Sequence, residues 1–395
     1  MDKKPQADRI ESIDFLRGLV MIIMALDHVR MYFALGTWYA EPTNLATTTP
    51  LLFFTRWITH FCAPVFVFLS GTSAYLYGLR KASRKDTAWF LLTRGLWLIF
   101  VELVIVNFAW TFDSTYSFRL LQVIWAIGIS MVVLSALVFL PAWSIVTIGI
   151  LLVFGHNLLD PITMQGSSVQ DILWYILHQP NAIVMDSTLI NFLYPVLPWI
   201  GLMALGYGFG IFYKNEFPSE QRRRWLLSLG ITATLLFLIL RGFNLYGEPR
   251  AWQVQGSPLF SLMSLLNATK YPPSLHFLLM TMGPALILLA LIEPATGRIA
   301  KPVIVFGRVP FFFYILHLYA IHALAMLWLA YEGRDPNEYI MSAQRIRSGA
   351  LSNFGLGLEA VYLLWIIIVV LLYPVCRWYQ KYRENHLAKW WLRYL

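Results

Sequence analysis

Ten apolar runs, each close to the length of a bilayer crossing, constrain this chain more than any other feature. They lie near residues 15–35, 51–78, 88–110, 119–139, 142–159, 192–213, 225–243, 275–292, 303–330 and 356–376. A helix rises about 1.5 Å per residue, so about 20 residues cross a hydrocarbon core roughly 30 Å thick. Composition agrees, with 58% of residues apolar and only 13% charged, about half the charge of a soluble domain. The expectation is an all-α integral membrane protein of about ten transmembrane helices. A cytoplasmic segment, 1–14, would precede a multipass domain, 15–376, and a basic tail, 377–395. The first apolar run carries Asp27, His28 and Arg30, too polar a core for a secretory signal, and reads as an uncleaved helix.

The distribution of basic residues gives an orientation. Eighteen Lys and Arg fall in the N-terminus, the alternate connections and the C-terminal tail, against five in the opposite set. Cytoplasmic flanks collect such residues, so both termini are expected in the cytoplasm. The short connection at Pro141 is the weakest joint, where a re-entrant feature is the alternative. The net charge of +9 is thus accounted for beside the spans, and nucleic acid is not expected as a partner. The two cysteines, Cys62 and Cys376, sit in separate apolar runs without a ligand pattern and read as small buried hydrophobes.

Ionisable groups inside a bilayer need a partner, a cavity or a task. Arg17 and His28 are eleven residues apart, so on a helix they fall within about 20° of each other. Their axial separation is about 16 Å, from the cytoplasmic end to just beyond mid-membrane. Arg56 and His60, at i, i+4, precede Pro64 in the second run. Tyr314 and His317, at i, i+3, occupy the ninth, with His322 further out. His28, His60 and His317 are therefore expected at similar depth. Taken singly, each histidine reads as a satisfied core residue. No carboxylate or thiolate accompanies them at ligand spacing, so no metal is expected there. Asp27 is expected to pair with Arg30, and Glu102 to act structurally as a partner of Arg94. Tyr194 and Trp199, in YPVLPW, offer flat rings for an interface or an acceptor groove.

At Arg17-x10-His28 the chain resembles multipass membrane acyltransferases. RIESIDFLRGLVMIIMALDH is similar to the first helix of acyltransferase-3 enzymes and of bacterial relatives of the heparan-α-glucosaminide N-acetyltransferase catalytic domain. The likeness continues through RWITHFCAPVFVFLSGTSAYL, LYPVLPWIGLMALGYGFG and GRVPFFFYILHLYAIH. One departure stands against the second group. The lysosomal N-acetyltransferase places Asn at the position of His28 and its histidine later, near Tyr39 of this chain, where residues 36–50 contain no histidine.

The resemblance implies an enzyme that moves an acyl group, usually acetyl, from cytoplasmic acyl-CoA to an acceptor on the outer face. Arg17, with Arg56, would hold donor phosphates. His28 would serve as the base, with His60, His317 and Tyr314 as further catalytic candidates. Acetyl-CoA or another acyl-CoA enters as donor substrate, and no permanently bound cofactor or metal is expected. Expected partners are membrane lipid, acyl-CoA and a carbohydrate or glycolipid acceptor, with a homodimer left open, in a bacterial cytoplasmic (inner) membrane. A transporter or lipid flippase is the alternative, although paired repeats and matching interrupted helices are not visible in the sequence. A third reading is a scaffold whose histidines only fix helix packing.

Overall fold

The computed structural model describes residues 10–36, 41–293, 297, 300–348, 354–386 and 388–393. Tyr39 and the basic residues Lys3, Lys4, Arg9 and Arg298 lie outside them. The first half of the chain forms α1 (Glu11–Phe33), α2 (Pro50–Ile58), α3 (Cys62–Gly78), α4 (Arg84–Val101), α5 (Asn107–Thr111), α6 (Val123–Leu137), α7 (Ala142–Gly155) and α8 (Val169–Leu177). The second half forms α9 (Leu197–Phe209), α10 (Ser219–Gly242), α11 (Pro258–Leu266), α12 (Leu275–Ile292), α13 (Lys301–Arg308), α14 (Pro310–Tyr331), α15 (Ala343–Ser348) and α16 (Leu358–Asn385).

Seven helices among the described residues are long and apolar enough to cross a membrane. They are Pro50–Gly78, Arg84–Thr111, Ala142–Leu159, Ser219–Gly242, Leu275–Ile292, Pro310–Tyr331 and Leu358–Asn385. The expectation of about ten differs at three places, for physical reasons. The helices at Val123–Leu137 and Leu197–Tyr213 are apolar but short, because a strand or an irregular turn takes up the start of each apolar run. The third is α1, which is 23 residues long but carries Glu11, Asp14, Arg17, Asp27 and Arg30. It is shielded by α3, α12, α13, α14 and α16, which pack around it.

Two expected helices are interrupted. A 3-10 turn, Thr59–Phe61, joins α2 to α3, because Pro64 lacks an N–H and its ring crowds the carbonyl of His60. The ninth run, expected to be continuous over 303–330, breaks at Val309 (φ −129°, ψ 46°). Pro310 then starts α14, where its missing N–H costs nothing. Separate helices α6 and α7 flank Pro141, which precedes the first residue of α7.

Glycines set the closest helix approaches. A Cβ on Gly18 would lie 1.9 Å from the Val303 carbonyl oxygen, and one on Gly307 would lie 1.7 Å from that of Asp14. Only hydrogen fits at either position, so α1 and α13 meet backbone to backbone, as small residues allow between membrane helices. This contact explains Gly18 beside Arg17 and Gly307 beside Arg308.

A small sheet covers the end of the bundle that is poor in basic residues, termed the outer side below. Its strands are β1 (Phe118–Leu121), β2 (Asn181–Met185) and β3 (Thr188–Phe192), in the order β1-β3-β2. β1 runs parallel to β3 with Phe118 opposite Leu189, and β2 runs antiparallel with Asn181 opposite Phe192. Asn107 anchors β1: its Nδ2 donates to the Leu120 carbonyl at 3.2 Å, and its Oδ1 accepts from Leu120 N–H at 2.7 Å. The sheet thus holds Gln122 and Tyr194, just past the ends of β1 and β3, over the bundle.

Candidate active site

Two cavities occupy the bundle on either side of one wall. The outer one has a volume of about 550 Å³ and is lined by Asp27, His28, Arg56, His60, Lys270 and Tyr271 among others. The inner one, about 110 Å³, is lined by Arg17, Ser70, Arg94 and residues of α6 and α14. Met24, Phe66, Val123 and Tyr314 line both. Arg17 and His28, on one face of α1, therefore open into different chambers whose common wall lies between them.

His28 and His317 meet directly. His28 Nδ1 is 2.7 Å from His317 Nε2, and the rings stack with centroids 4.9 Å apart and planes 7° from parallel. His317 Nδ1 is 2.7 Å from the Phe313 carbonyl oxygen. A carbonyl only accepts, so Nδ1 of a neutral His317 carries the proton and its Nε2 is an acceptor. His28 must then donate from Nδ1, which leaves its Nε2 with the lone pair. A backbone carbonyl of α14 thus sets the tautomer of a histidine on α1. Trp110 and Tyr314 stand edge-on to the His28 ring, with centroids at 5.0 and 6.2 Å.

The other candidates divide between the two chambers. His60, on the 3-10 turn, lines the outer cavity, and its buried Nδ1 has no hydrogen-bond partner among the described residues. It does not bond to the His28–His317 pair. Arg56 is in the outer cavity, paired with Asp27 and 3.4 Å from the Tyr271 hydroxyl, and so does not join Arg17. Asp27 also accepts from Arg30 at 2.9 Å, as the spacing predicts. Arg17 donates to Asp14 at 3.2 Å, to the Gly307 carbonyl at 3.3 Å and to Ser73 Oγ at 3.2 Å. His322 is engaged by the carbonyls of Ala109 and Tyr339 at 2.8 and 2.9 Å, a packing role.

Glu102 is fully buried, and its hydrogen-bonded partner is a helix end. Its Oε1 accepts from Gln122 N–H at 3.0 Å, at the N-cap of α6, where a carboxylate complements the helix dipole. A π-turn over Glu102–Val106 carries it there. From YPVLPW, Tyr194 lines the outer cavity and stacks on Trp199 with centroids 5.5 Å apart. Trp199 is fully buried behind it.

Lys270 and Tyr271 were not anticipated as site residues. They sit on the connection between α11 and α12 and line the outer cavity. Burial, with Arg56 nearby, lowers the Lys270 ammonium below its ordinary pKa. Burial alone would raise Tyr271, but the Lys270 and Arg56 cations pull its phenol lower. The available signal was a lone Lys-Tyr pair in an outer connection otherwise short of charge. With Arg30, Arg56 and Lys270 against Asp27, the inward charged wall is net positive.

A family model described as heparan-alpha-glucosaminide N-acetyltransferase, catalytic, matches residues 9–246, more than half of the 395-residue chain. The match includes Arg17, His28, Arg56 and His60, whereas Lys270, Tyr314 and His317 lie beyond it. No curated protein matches the chain.

Proposed function

The chain belongs to the heparan-alpha-glucosaminide N-acetyltransferase catalytic family, and from that premise we propose that it carries an acetyl group across the membrane. The donor is acyl-CoA on the cytoplasmic side, and the acceptor is a hydroxyl or amino group of an envelope carbohydrate on the outer side of a bacterial inner membrane. The observation that carries this reading is the pair of cavities sharing Met24, Phe66, Val123 and Tyr314. One cavity offers guanidiniums and the other a histidine base, as a reaction with substrates from opposite sides requires. The excess of Lys and Arg on alternate connections supports a cytoplasmic donor side.

In this reading Arg17 and Arg94 attract the CoA phosphates, which a planar guanidinium binds with two hydrogen bonds at once. The thioester reaches the shared wall. His28 Nε2 takes the proton of the acceptor's O–H or N–H as that atom attacks the thioester carbon. A histidine suits this task because its pKa lies near neutrality. The imidazolium so formed keeps its Nδ1–H on His317 Nε2, which stabilises the charge as the orienting member of a triad does. Negative charge on the carbonyl oxygen is met by the Tyr314 hydroxyl and the positive wall. When the intermediate collapses, the carbon–sulfur bond breaks and the CoA sulfur leaves with the proton held by His28.

The test uses inverted membrane vesicles containing the full chain, supplied with acetyl-labelled acetyl-CoA from the cytoplasmic face. Label should enter a glycan or glycolipid fraction, with release of free CoA thiol, and His28→Ala vesicles should do neither. Equal labelling by vesicles lacking the chain would remove the enzymatic reading, and equal labelling by folded His28→Ala would remove His28 as the base. Solute movement without thiol release would favour a transporter.

A further inference from the structure

A second group of titratable side chains lies on the outer side, away from both cavities. His156 sits on the 3-10 turn that follows α7, Asp160 directly after that turn, and His178 at the C-terminal end of α8. One ligand atom from each residue lies within 4.8 Å of those from the other two. His178 Nε2 is 2.9 Å from Asp160 Oδ1, and the two imidazole centroids are 5.7 Å apart. Asp160 Oδ2 accepts from Asn157 Nδ2 at 2.9 Å, which leaves Oδ1 turned towards the histidines.

The hydrogen bonding here is incomplete in a specific way. His156 is 2% exposed and His178 3%, yet both ring nitrogens of His156 and Nδ1 of His178 have no partner among the described residues. A buried polar atom without a partner costs about 1–3 kcal/mol, and native folds seldom carry three together on two adjacent rings. Local chain geometry does not require it. His156 and Asp160 stand one helical turn apart on the same segment, which aims both towards α8.

We propose that His156, Asp160 and His178 bind a divalent transition-metal ion, zinc by the chemistry of the donors. Two imidazoles and one carboxylate are a common zinc donor set, completed by water. Tetrahedral ligands at about 2.0–2.2 Å from the ion lie roughly 3.3–3.6 Å from one another, so Asp160 and His178, at 2.9 Å, would part by about half an ångström to admit it. His156, within 4.8 Å of both partners, would move inward by up to about 1.5 Å to reach that spacing. Asn157 would orient the carboxylate from outside the coordination shell, and its Oδ1 also accepts from Leu275 N–H at 3.0 Å. The ion would therefore tie the end of α7 to the end of α8 and, through Asn157, to the start of α12. It would pin the chain that leads into β2, β3 and the Tyr194 wall of the outer cavity. This inference does not rest on the acetyl-transfer reading.

The test uses the full chain in detergent, purified on a tag without histidine, stripped with a chelator and titrated with zinc ion alone. One zinc per chain should bind, and the melting temperature should rise with bound zinc. His156→Ala and His178→Ala should each abolish stoichiometric binding while eluting as the parent does. Asp160→Asn should weaken affinity by at least the 10–100-fold typical of disturbing even outer-shell partners. Cobalt(II) in place of zinc should give the visible bands of a tetrahedral site in the parent. Failure of the parent to hold stoichiometric zinc, or equal zinc in parent and histidine variants, overturns the proposal. If neither histidine variant folds, Asp160→Asn decides, because unchanged affinity in that partly exposed variant overturns it equally.

Discussion

Two histidine pairs in this molecule are both buried, yet they are wired in opposite ways. At His28 and His317 a directional chain runs from the Phe313 carbonyl through both rings and leaves one lone pair on the outer cavity. At His156 and His178 three of the four ring nitrogens have no partner among the described residues, and a carboxylate stands beside them. The first arrangement can move a proton because each nitrogen has an assigned role. The second can hold a cation because its lone pairs are not committed elsewhere. Residue type alone does not separate the proposed proton carrier from the proposed ligand set; the neighbouring acceptors do.

The largest effect that would sharpen this contrast is loss of the proposed base. His28→Ala should lower the acetyl-transfer rate by about 10²–10⁴-fold, the range of a positioned acid–base group. CoA affinity should change little, since the phosphates would bind about 16 Å away along α1. A normal transfer rate in a folded variant would move attention to His60.

His317→Ala should cost less, about 10–100-fold in kcat, matching the roughly 1.5–3 kcal/mol of a hydrogen bond to a group that becomes charged. The pH–rate profile should move with it, because His28 would lose the acceptor that supports its protonated form. An unchanged profile would reduce His317 to packing and remove the relay from the comparison.

A third substitution probes the scaffold under the core pair. Gly307→Ala drives a methyl against the Asp14 carbonyl, and overpacking of this kind costs about 1–3 kcal/mol. A lower melting temperature in detergent is expected, with transfer impaired in proportion to folded protein. Stability equal to the parent would show that α13 can shift away from α1.

The smallest effect belongs to the outer cap. The Asp113 carboxylate accepts from Thr115 N–H and Oγ1 at 3.0 and 2.6 Å, and from Ser117 N–H and Oγ at 3.0 and 2.6 Å. Burial works against the charge, but these hydrogen bonds prevail and hold the carboxyl below its ordinary value. A depressed carboxyl stabilises the fold above its unfolded pKa of about 3.9 and loses that contribution as pH falls through the folded value. Asp113→Asn should therefore lower the melting temperature slightly at pH 7, with the difference from the parent closing below about pH 4. A difference that persists in acid would trace the effect to geometry rather than charge.

Part of the candidate site's geometry was legible because one helix carries two of its residues. The 3.6-residue period places Arg17 and His28 on one face of α1, and the structure opens both into cavities. Tyr314 and His317 were singled out by the same logic on α14. The Lys270–Tyr271 wall and the His156 cluster were not, since their meaning depends on what folds against them. The strand cap was hidden too: FRLL, NAIVM and TLINF are short, and β1 finds its partner β3 some 70 residues away. The break before α14 was missed because Val309-Pro310 interrupts backbone geometry without interrupting hydrophobicity.

Hydropathy alone determined that this chain belongs in a bilayer, since an apolar run of spanning length has no other solvent to favour it. The same patterning determined that a cation and an imidazole share one face of the first helix, because helical geometry is local. Which histidines meet was decided only by the tertiary structure. His28 and His317 are 289 positions apart, and their contact depends on Gly18 and Gly307 letting α13 close on α1 and on α14 starting anew at Pro310. Those are packing relations between distant segments, and no local period encodes them.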